Sequence, residues 1–141
     1  MLRIIQTIAL LALVAGCASA LQQKPADAEL PPQSIEEATA QIRTVATEFY
    51  QLLGSRRFAD AYARVSSSSK VSRADFERGL AERYPEGSQL IEFKITDVKV
   101  EANRGVVSVE ARWRRDRLRS VDTFTAPVVR EAAGWKIEWT R

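Results

Sequence analysis

The sequence predicts an α+β domain in which N-terminal helices pack against a curved four-stranded antiparallel sheet. Two observations predict this fold. Apolar residues in the first half of the domain recur every three to four positions, as in helices, and after Ser88 they alternate every second position, as in strands. Short turns separate the alternating segments, which is typical of strands that pair in sequence order. We assign this domain to residues 34–141, which is enough chain for one core without disulfides or metals.

Three helices are predicted before the sheet. The first begins at a capping box formed by Ser34 and Glu37, and it ends at Gly54. A short second helix precedes a serine run at residues 66–69, which we predict to be a loop. The third begins after the N-cap Ser72 and ends before the turn at residues 85–87. The apolar positions that define the first two helices are Ala38, Ile42, Val45, Phe49 and Leu52, then Phe58, Ala61, Tyr62 and Val65.

Four strands are predicted after Ser88. In the first, Ile91, Phe93 and Ile95 alternate with polar residues, but the apolar phase then slips by one residue. Such a slip turns a strand over, so we predict a β-bulge near Thr96 and Asp97. The other strands are predicted at residues 107–113, at about 117–130, and at 135–139, where Trp135, Ile137 and Trp139 alternate.

Composition excludes several classes of chemistry. The 141 residues include 21 Lys and Arg, 18 Asp and Glu, one cysteine and no histidine. Without histidine there is no Ser-His-Asp or Cys-His machinery and no His-ligated metal site. A single cysteine also excludes an intramolecular disulfide and a thiolate cluster, so no metal or cofactor is expected. The net charge of +3 is too small to indicate a nucleic-acid partner.

The first 16 residues have the layout of a secretory signal peptide. One positive charge, Arg3, precedes an apolar run at residues 4–15, and small residues follow. A membrane-spanning helix needs roughly 20 apolar residues, so this run is too short to be one. We therefore predict that the leader is cleaved.

Two cleavage sites compete at the end of this leader. Residues 13–17, LVAGC, resemble the lipobox of bacterial lipoproteins. That resemblance implies that Cys17 becomes the mature N-terminus, carries acyl chains and attaches the protein to a membrane. Ala18, where an aspartate would signal inner-membrane retention, implies the outer membrane, with the domain facing the periplasm. The alternative is cleavage after Ala20 in the A-x-A motif, which would release a soluble periplasmic protein. We favour the lipobox because acylation explains a lone cysteine in a secreted chain.

A flexible tether is predicted between the leader and the domain, at residues 17–33. The segment contains Pro25, Pro31 and Pro32 and almost no bulky apolar residue. At roughly 3.3 Å per residue, it would hold the domain up to about 50 Å from the membrane.

The domain resembles the nuclear-transport-factor-2-like superfamily, whose members have a cystatin-like cone shape. The resemblance rests on the element order and on four short segments: the pair Phe49-Tyr50, FADAY at residues 58–62, the helix start at residues 72–76, and GWKI at residues 134–137. In particular, the chain is similar to small bacterial lipoproteins of this superfamily whose function is unassigned. Other members, such as ketosteroid isomerases and polyketide cyclases, carry out proton transfer in a pocket between the sheet and the helices.

Proton transfer of that kind needs a carboxylate held in an apolar pocket when no imidazole is present. The candidate base is Asp122, which alternates with Phe124, and the candidate hydrogen-bond donors are Tyr50 and Tyr62. A bulge could also redirect Asp97 into the pocket. Asp122 would instead point outward if the alternate residues of its strand, beginning at Val121, formed the inner face. We therefore expect a non-enzymatic domain, with a pocket enzyme that uses Asp122 as its base as the alternative.

An arginine-rich segment is the second candidate site. Five arginines fall within eight residues and give the segment a charge of +4: Arg112, Arg114, Arg115, Arg117 and Arg119. Guanidinium groups bind phosphate and carboxylate in bidentate fashion, so the segment suits an anionic or acidic partner. It could equally be a solvated β-turn whose charges prevent aggregation. The aromatic residues Trp113, Trp135 and Trp139 lie at strand positions and are expected to belong to the core.

These observations predict a membrane-anchored, non-enzymatic binding or accessory module of the cell envelope. Its contact with the membrane would be made by the acyl chains on Cys17. Its partner would be another envelope protein or a small apolar ligand in the cone, and no nucleic acid is expected.

Overall fold

The computed structural model describes residues 30–140, so the predicted signal peptide, Cys17 and most of the predicted tether lie outside the described residues. Helices α1 (Ile35–Gly54), α2 (Phe58–Tyr62) and α3 (Arg73–Arg83) precede strands β1 (Ser88–Glu101), β2 (Arg104–Arg115), β3 (Leu118–Glu131) and β4 (Gly134–Ile137). The strands form one antiparallel sheet in the order β1-β2-β3-β4. This confirms the predicted α+β fold and the meander. None of the helices within residues 30–140 is both long enough and apolar enough to cross a membrane.

Helix α1 lies on the concave face of the sheet and provides much of the core. It begins as predicted, because Ser34 Oγ accepts a hydrogen bond from the Glu37 N–H at 3.1 Å. The Glu37 carboxylate accepts from Gln41, one turn further along the helix. The buried residues of α1 recur at helical spacing and pack against β1, β2 and β4: Ala38, Ile42, Val45, Ala46, Phe49, Tyr50 and Leu53.

The segment between α1 and α3 differs in detail from the prediction. Helix α2 ends at Tyr62, because Val65 forms a parallel β-bridge with Ile137. The serine run that was expected to be a loop forms a 3₁₀ helix, Ser67–Ser69, with Ser66 as its N-cap. Helix α3 begins after Ser72, as predicted.

Strand β1 contains two bulges. The predicted bulge is confirmed by a shift in pairing between Ile95 and Asp97. A second shift occurs between Leu90 and Glu92. This shift turns the Leu90 side chain into the core and leaves Ile91 50% exposed. The prediction that Ile91 lies on the same face as Phe93 and Ile95 was therefore wrong. A bulge changes the face without changing the local apolar pattern, which is why that pattern was misleading.

Strands β2 and β3 form a long regular hairpin. Their pairing runs without a shift from Arg104 opposite Val129 to Arg115 opposite Leu118. Strand β4 is shorter than predicted and pairs only with the last four residues of β3, Val128–Glu131. The rest of β3 therefore forms an edge of the sheet that β4 does not cover.

Candidate functional site

The concave side of the sheet, which we call the cone, is filled largely by aromatic rings. Tyr50 is buried between Phe93 of β1 and Phe124 of β3, with ring centroids 5.6 and 5.7 Å from its own. Phe49 meets Tyr50 edge to face at 5.3 Å. The cavity that remains beside these rings has a volume of about 60 Å³. Sites for small organic ligands usually measure about 300 to 1,000 Å³, so this cavity accommodates a few water molecules and no larger ligand.

Tyr50 is one of the residues that line this cavity. Its hydroxyl makes no hydrogen bond to another residue in the described part of the chain. Burial raises the pKa of the Tyr50 phenol, Tyr84 adds to the increase, and Arg83 acts in the opposite direction. The phenol is therefore neutral at physiological pH and available only as a weak donor or acceptor.

Asp122 lies on the inner face of β3, opposite Ala111 of β2. Asp122 therefore shares the inner face of β3 with Phe124. The Val121 side chain lies on the outer face and is 60% exposed. However, Asp122 is itself exposed and does not line the cavity. Its carboxylate is close enough to Tyr84 to reinforce the increase in the pKa of that phenol, which is caused mainly by burial. A water-exposed carboxylate lacks the apolar surroundings that adjust a general base.

The structure does not bring Tyr62 to the same place. Its hydroxyl donates to the Val71 carbonyl oxygen at 2.8 Å, and its ring packs against Phe76 with centroids 5.6 Å apart. Asp97 is exposed at the β1 bulge, opposite Ser108. Of the predicted pocket residues, only Tyr50 and Asp122 lie on the concave side, and the first is deeply buried while the second is at the water-exposed end.

Two residues that line this cavity, Arg83 and Tyr84, were not identified from the sequence. Arg83 lies with its guanidinium carbon 5.2 Å from the ring centroid of Trp139, and Tyr84 stacks on Trp113 at 4.3 Å. Both follow the last apolar residue of α3, where the sequence indicates only a helix end. Trp135 is buried, and its indole N–H donates to Gln33 at 3.0 Å. Trp135 belongs to the core and Trp139 packs against it, as expected, whereas Trp113 is half-buried and stacks on Tyr84 outside that core.

The predicted anion site is the arginine hairpin, which we define as residues 112–119. Arg112 forms ion pairs with Glu92 at 3.2 Å and Glu110 at 3.9 Å, and Arg114 donates to the side-chain oxygen of Gln89. The remaining arginines of the hairpin are exposed and form no ion pair with any residue of the described chain: Arg115, Arg117 and Arg119. Three guanidinium groups are thus available to a partner at one tip of the molecule.

The N-terminal segment leaves the domain at the other end of the same strands. The Arg130 guanidinium donates to the Pro31 carbonyl oxygen at 2.7 Å, near the turn between β3 and β4. Strand β2 spans 12 residues between the two ends, a length of roughly 36 to 40 Å. The arginine hairpin therefore points away from the segment that leads towards Cys17. Within residues 30–140, no group of three or more acidic or cysteine side chains is arranged to hold a metal ion.

No family model matches the sequence, and no curated protein matches it. Solved structures do resemble the domain. A domain of unknown function with a cystatin-like fold from Nostoc punctiforme shares 14% identity with a TM-score of 0.57, over 75% of each chain. A proposed NTF2-like transpeptidase from Campylobacter jejuni shares 10% identity with a TM-score of 0.53, over 70% of this chain and 98% of its own.

A protein containing a SEC-C motif from Rhodopseudomonas palustris is also similar, with 16% identity and a TM-score of 0.57 over 72% of this chain and 77% of its own. At such low identities these likenesses concern the fold alone. Together with the helices and the four-stranded meander, they show that the chain has the nuclear-transport-factor-2-like, cystatin-like fold.

Proposed function

We propose that this protein is a lipoprotein of the bacterial cell envelope that acts as a non-enzymatic binding module for another envelope protein. Acyl chains on Cys17 would anchor it to the outer membrane, and the domain would face the periplasm. The observation that carries the proposal is the filled cone, in which aromatic rings leave a cavity of only about 60 Å³. A domain whose interior is occupied by its own side chains can bind a partner only at its surface.

The arginine hairpin supports binding at the surface. Arg117 and Arg119 are exposed beside Leu118, which is 76% exposed, so cationic and apolar groups adjoin one another at this tip. The segment that leads towards Cys17 leaves from the opposite end of the sheet, where Arg130 holds Pro31. An anchored domain could therefore present the hairpin to the periplasm, where acidic protein surfaces are available as partners.

The anchor is tested by fractionation of cells that express the Cys17→Ala variant. We expect the wild type in the outer-membrane fraction and the variant outside it, because each buried methylene of an acyl chain contributes about 0.8 kcal/mol to membrane attachment. Ala18→Asp is the matched control, since it keeps the cysteine and should move the protein to the inner membrane. Membrane attachment of the alanine variant equal to that of the wild type would contradict the proposal.

The binding role is tested by photo-crosslinking in intact cells. A photoreactive residue at Leu118, on the arginine hairpin, is compared with one at Ile35, which is 72% exposed at the start of α1. We expect one defined envelope protein to be captured from position 118 and not from position 35. Equal capture from both positions, or none from either, would contradict a binding module that uses this tip.

The pocket enzyme remains a second candidate because Asp122 and Tyr50 share the concave side of the sheet. In this alternative the carboxylate would act as base and the neutral phenol as donor. Against it stand the exposure of Asp122 and the small volume of the cavity. Turnover of a ketosteroid that is lost in Asp122→Asn would favour this alternative over the binding module.

A further inference from the structure

The two edges of the sheet differ in how well they are protected. A strand edge presents unpaired N–H and C=O groups, and soluble proteins usually cover or distort such edges. The β1 edge carries both bulges, and two arginines of the α1 region reach its carbonyl oxygens. Arg43 donates to the carbonyl of Ile95 at 3.5 Å, and Arg56 donates to that of Ser88 at 3.4 Å.

Within residues 30–140, the opposite edge, formed by β3, has no such protection. Strand β4 covers only residues 128–131, and the Glu138 N–H donates to the Pro127 carbonyl oxygen at 2.8 Å. From residue 119 to residue 125, no strand of the described chain lies alongside. The pairing with β2 is regular over this whole stretch, so no bulge twists the edge away. We call residues 119–125 the open edge.

Two hydrogen bonds determine which backbone groups face outward along the open edge. The Arg130 N–H donates to Asn103, on the β2 side, whereas the Pro127 carbonyl accepts from Glu138, on the other side. Successive residues of an antiparallel strand alternate between these directions. The odd-numbered residues therefore present their N–H and C=O groups outward: Arg119, Val121, Thr123 and Thr125. This also explains why β3 accommodates Pro127, which has no N–H to offer.

We infer that the open edge is a docking site for an extended, acidic segment of a partner protein, which adds to the sheet as a further strand. The inference rests on the proposed binding function and specifies how the partner is held. Over seven residues, or roughly 20 to 23 Å, main-chain hydrogen bonds would provide affinity, as in other cases of strand addition. The free arginines beside the edge, Arg117 and Arg119, would select carboxylates.

Charge disfavours a second copy of the chain as the occupant. If two open edges paired across a two-fold axis, the side chains of each face would meet those of the same face. Asp122, the acidic residue of the open edge, lies on the face opposite to Arg119, because the two positions differ by three along the strand. A second copy would thus bring no carboxylate to Arg119, whereas an acidic segment would.

The test measures binding of a fluorescein-labelled ten-residue peptide of alternating threonine and glutamate by anisotropy. A threonine-lysine peptide is the matched control. We expect the acidic peptide to bind at least tenfold more tightly, with an affinity that falls as salt is added. The double variant Arg117→Gln/Arg119→Gln should weaken the acidic peptide about tenfold and flatten the salt dependence. Equal affinity for the two peptides would overturn the inference.

The main-chain part is tested with Thr123→Pro, which removes an outward N–H but no donor to β2, and Thr123→Ala, which keeps the N–H. We expect tenfold weaker binding in the first variant and less than a twofold change in the second. Should the proline variant fail to fold, amide exchange of the wild type replaces it. The amides of residues 119, 121, 123 and 125 should exchange fast alone and slowly with peptide, and unchanged exchange would overturn the inference.

Two outcomes separate this inference from the proposed function. If photo-crosslinking from position 118 captures a partner equally well in Thr123→Pro, the binding role stands and strand addition is wrong. If the wild type sediments as a dimer that Thr123→Pro dissociates, the open edge binds a second copy, and the acidic segment is wrong.

Discussion

Tyr84 stacks on Trp113 with ring centroids 4.3 Å apart and an angle of 13° between the planes. Tyr84 is the C-cap residue that follows α3, and its N–H donates to the Leu80 carbonyl oxygen at 2.8 Å. Trp113 is on β2, three residues before the turn of the arginine hairpin at residues 116–117. The stack therefore holds the β2 side of the arginine hairpin against the end of α3. This contact lies outside the cluster of buried core residues.

We expect the stack to stabilise the domain and to restrain the hairpin. Trp113→Ala should lower the free energy of unfolding by about 1 to 3 kcal/mol, since the residue is half-buried. In a double-mutant cycle with Tyr84→Ala, the coupling should be about 0.5 to 1.5 kcal/mol, as for other aromatic pairs. Urea unfolding measures all four free energies. Trp113→Phe is the control, and additive losses would show that the two rings do not interact.

A second prediction concerns Glu131, which joins β3 to the 3₁₀ helix. Its carboxylate accepts from the Ser66 hydroxyl at 2.6 Å and from the Ser67 N–H at 2.9 Å. Burial favours a higher pKa for Glu131, but the hydrogen bonds from both serines, helped by Lys136, outweigh it and lower the pKa below 4.5. The ionised carboxylate therefore stabilises the folded domain fully at pH values above the pKa of Glu131 in the unfolded chain. This stabilisation is lost as the pH falls through the lower pKa of Glu131 in the folded domain.

We therefore expect Glu131→Ala to cost about 1 to 2 kcal/mol at pH 7, as for a hydrogen-bonded charged group that is partly exposed. The difference from the wild type should shrink as the pH falls through the lowered pKa of folded Glu131, because the wild-type carboxyl then becomes protonated as well. Urea unfolding at pH 7 and at a series of acidic pH values measures it. Glu77→Ala, which removes an exposed ion pair with Arg73, should change stability by less than about 1 kcal/mol. A Glu131→Ala loss that is independent of pH would contradict this role.

How much was predictable depended on the range of the interaction. Periodicity and caps act within one element, so the start of α1 at Ser34 and the bulge after Ile95 were predicted from the sequence. The second bulge at Leu90 was not, because nothing in the local pattern distinguishes Ile91 as the outward residue. Strand β4 ends at Ile137, whose bridge with Val65 joins distant parts of the chain and was likewise not visible in the sequence.

The candidate site was predictable only in its charged part. The arginine cluster is visible in the sequence because it is contiguous, and its exposure follows from its charge. The filling of the cone was not visible, because it depends on Tyr50, Phe93 and Phe124 meeting from three different elements. Nor was the open edge, which exists because β4 ends before it reaches Pro127.

A third prediction compares a glycine at which a side chain would clash, Gly105, with one at which it would not, Gly79. A Cβ at Gly105 would lie 2.7 Å from the Lys99 carbonyl oxygen and 3.1 Å from Val128. Because the Lys99 carbonyl cannot move away without distorting β1, Gly105→Ala should lower the free energy of unfolding by about 1 to 3 kcal/mol. A Cβ at Gly79, inside α3, would meet only Trp139, at an ordinary 3.9 Å. Gly79→Ala should therefore stabilise the domain by about 0.5 to 1 kcal/mol. Thermal unfolding compares the two variants, and changes of the same sign would contradict the packing of β2 against β1.

The last prediction concerns the phenol of Tyr50 at high pH. Because its pKa is raised above the ordinary value of 10.0, Tyr50 stays protonated in the folded protein while the unfolded chain ionises. Stability should then fall as the pH rises above about 10, since the unfolded state binds fewer protons there. Tyr50→Phe removes this contribution, so its loss of stability between pH 8 and pH 11 should be smaller than that of the wild type.

At pH 7 the same variant should unfold within about 1 kcal/mol of the wild type, because the Tyr50 hydroxyl has no protein partner to lose within the described residues. Tyr62→Phe is the contrasting control, since it leaves the Val71 carbonyl without its donor and should cost about 1 kcal/mol. Urea unfolding across the pH range measures both variants. A Tyr50→Phe curve parallel to the wild-type curve between pH 8 and pH 11 would show that the phenol ionises while the domain is folded. That result would contradict the burial of the Tyr50 phenol between Phe93 and Phe124, on which the proposal of binding at the surface depends.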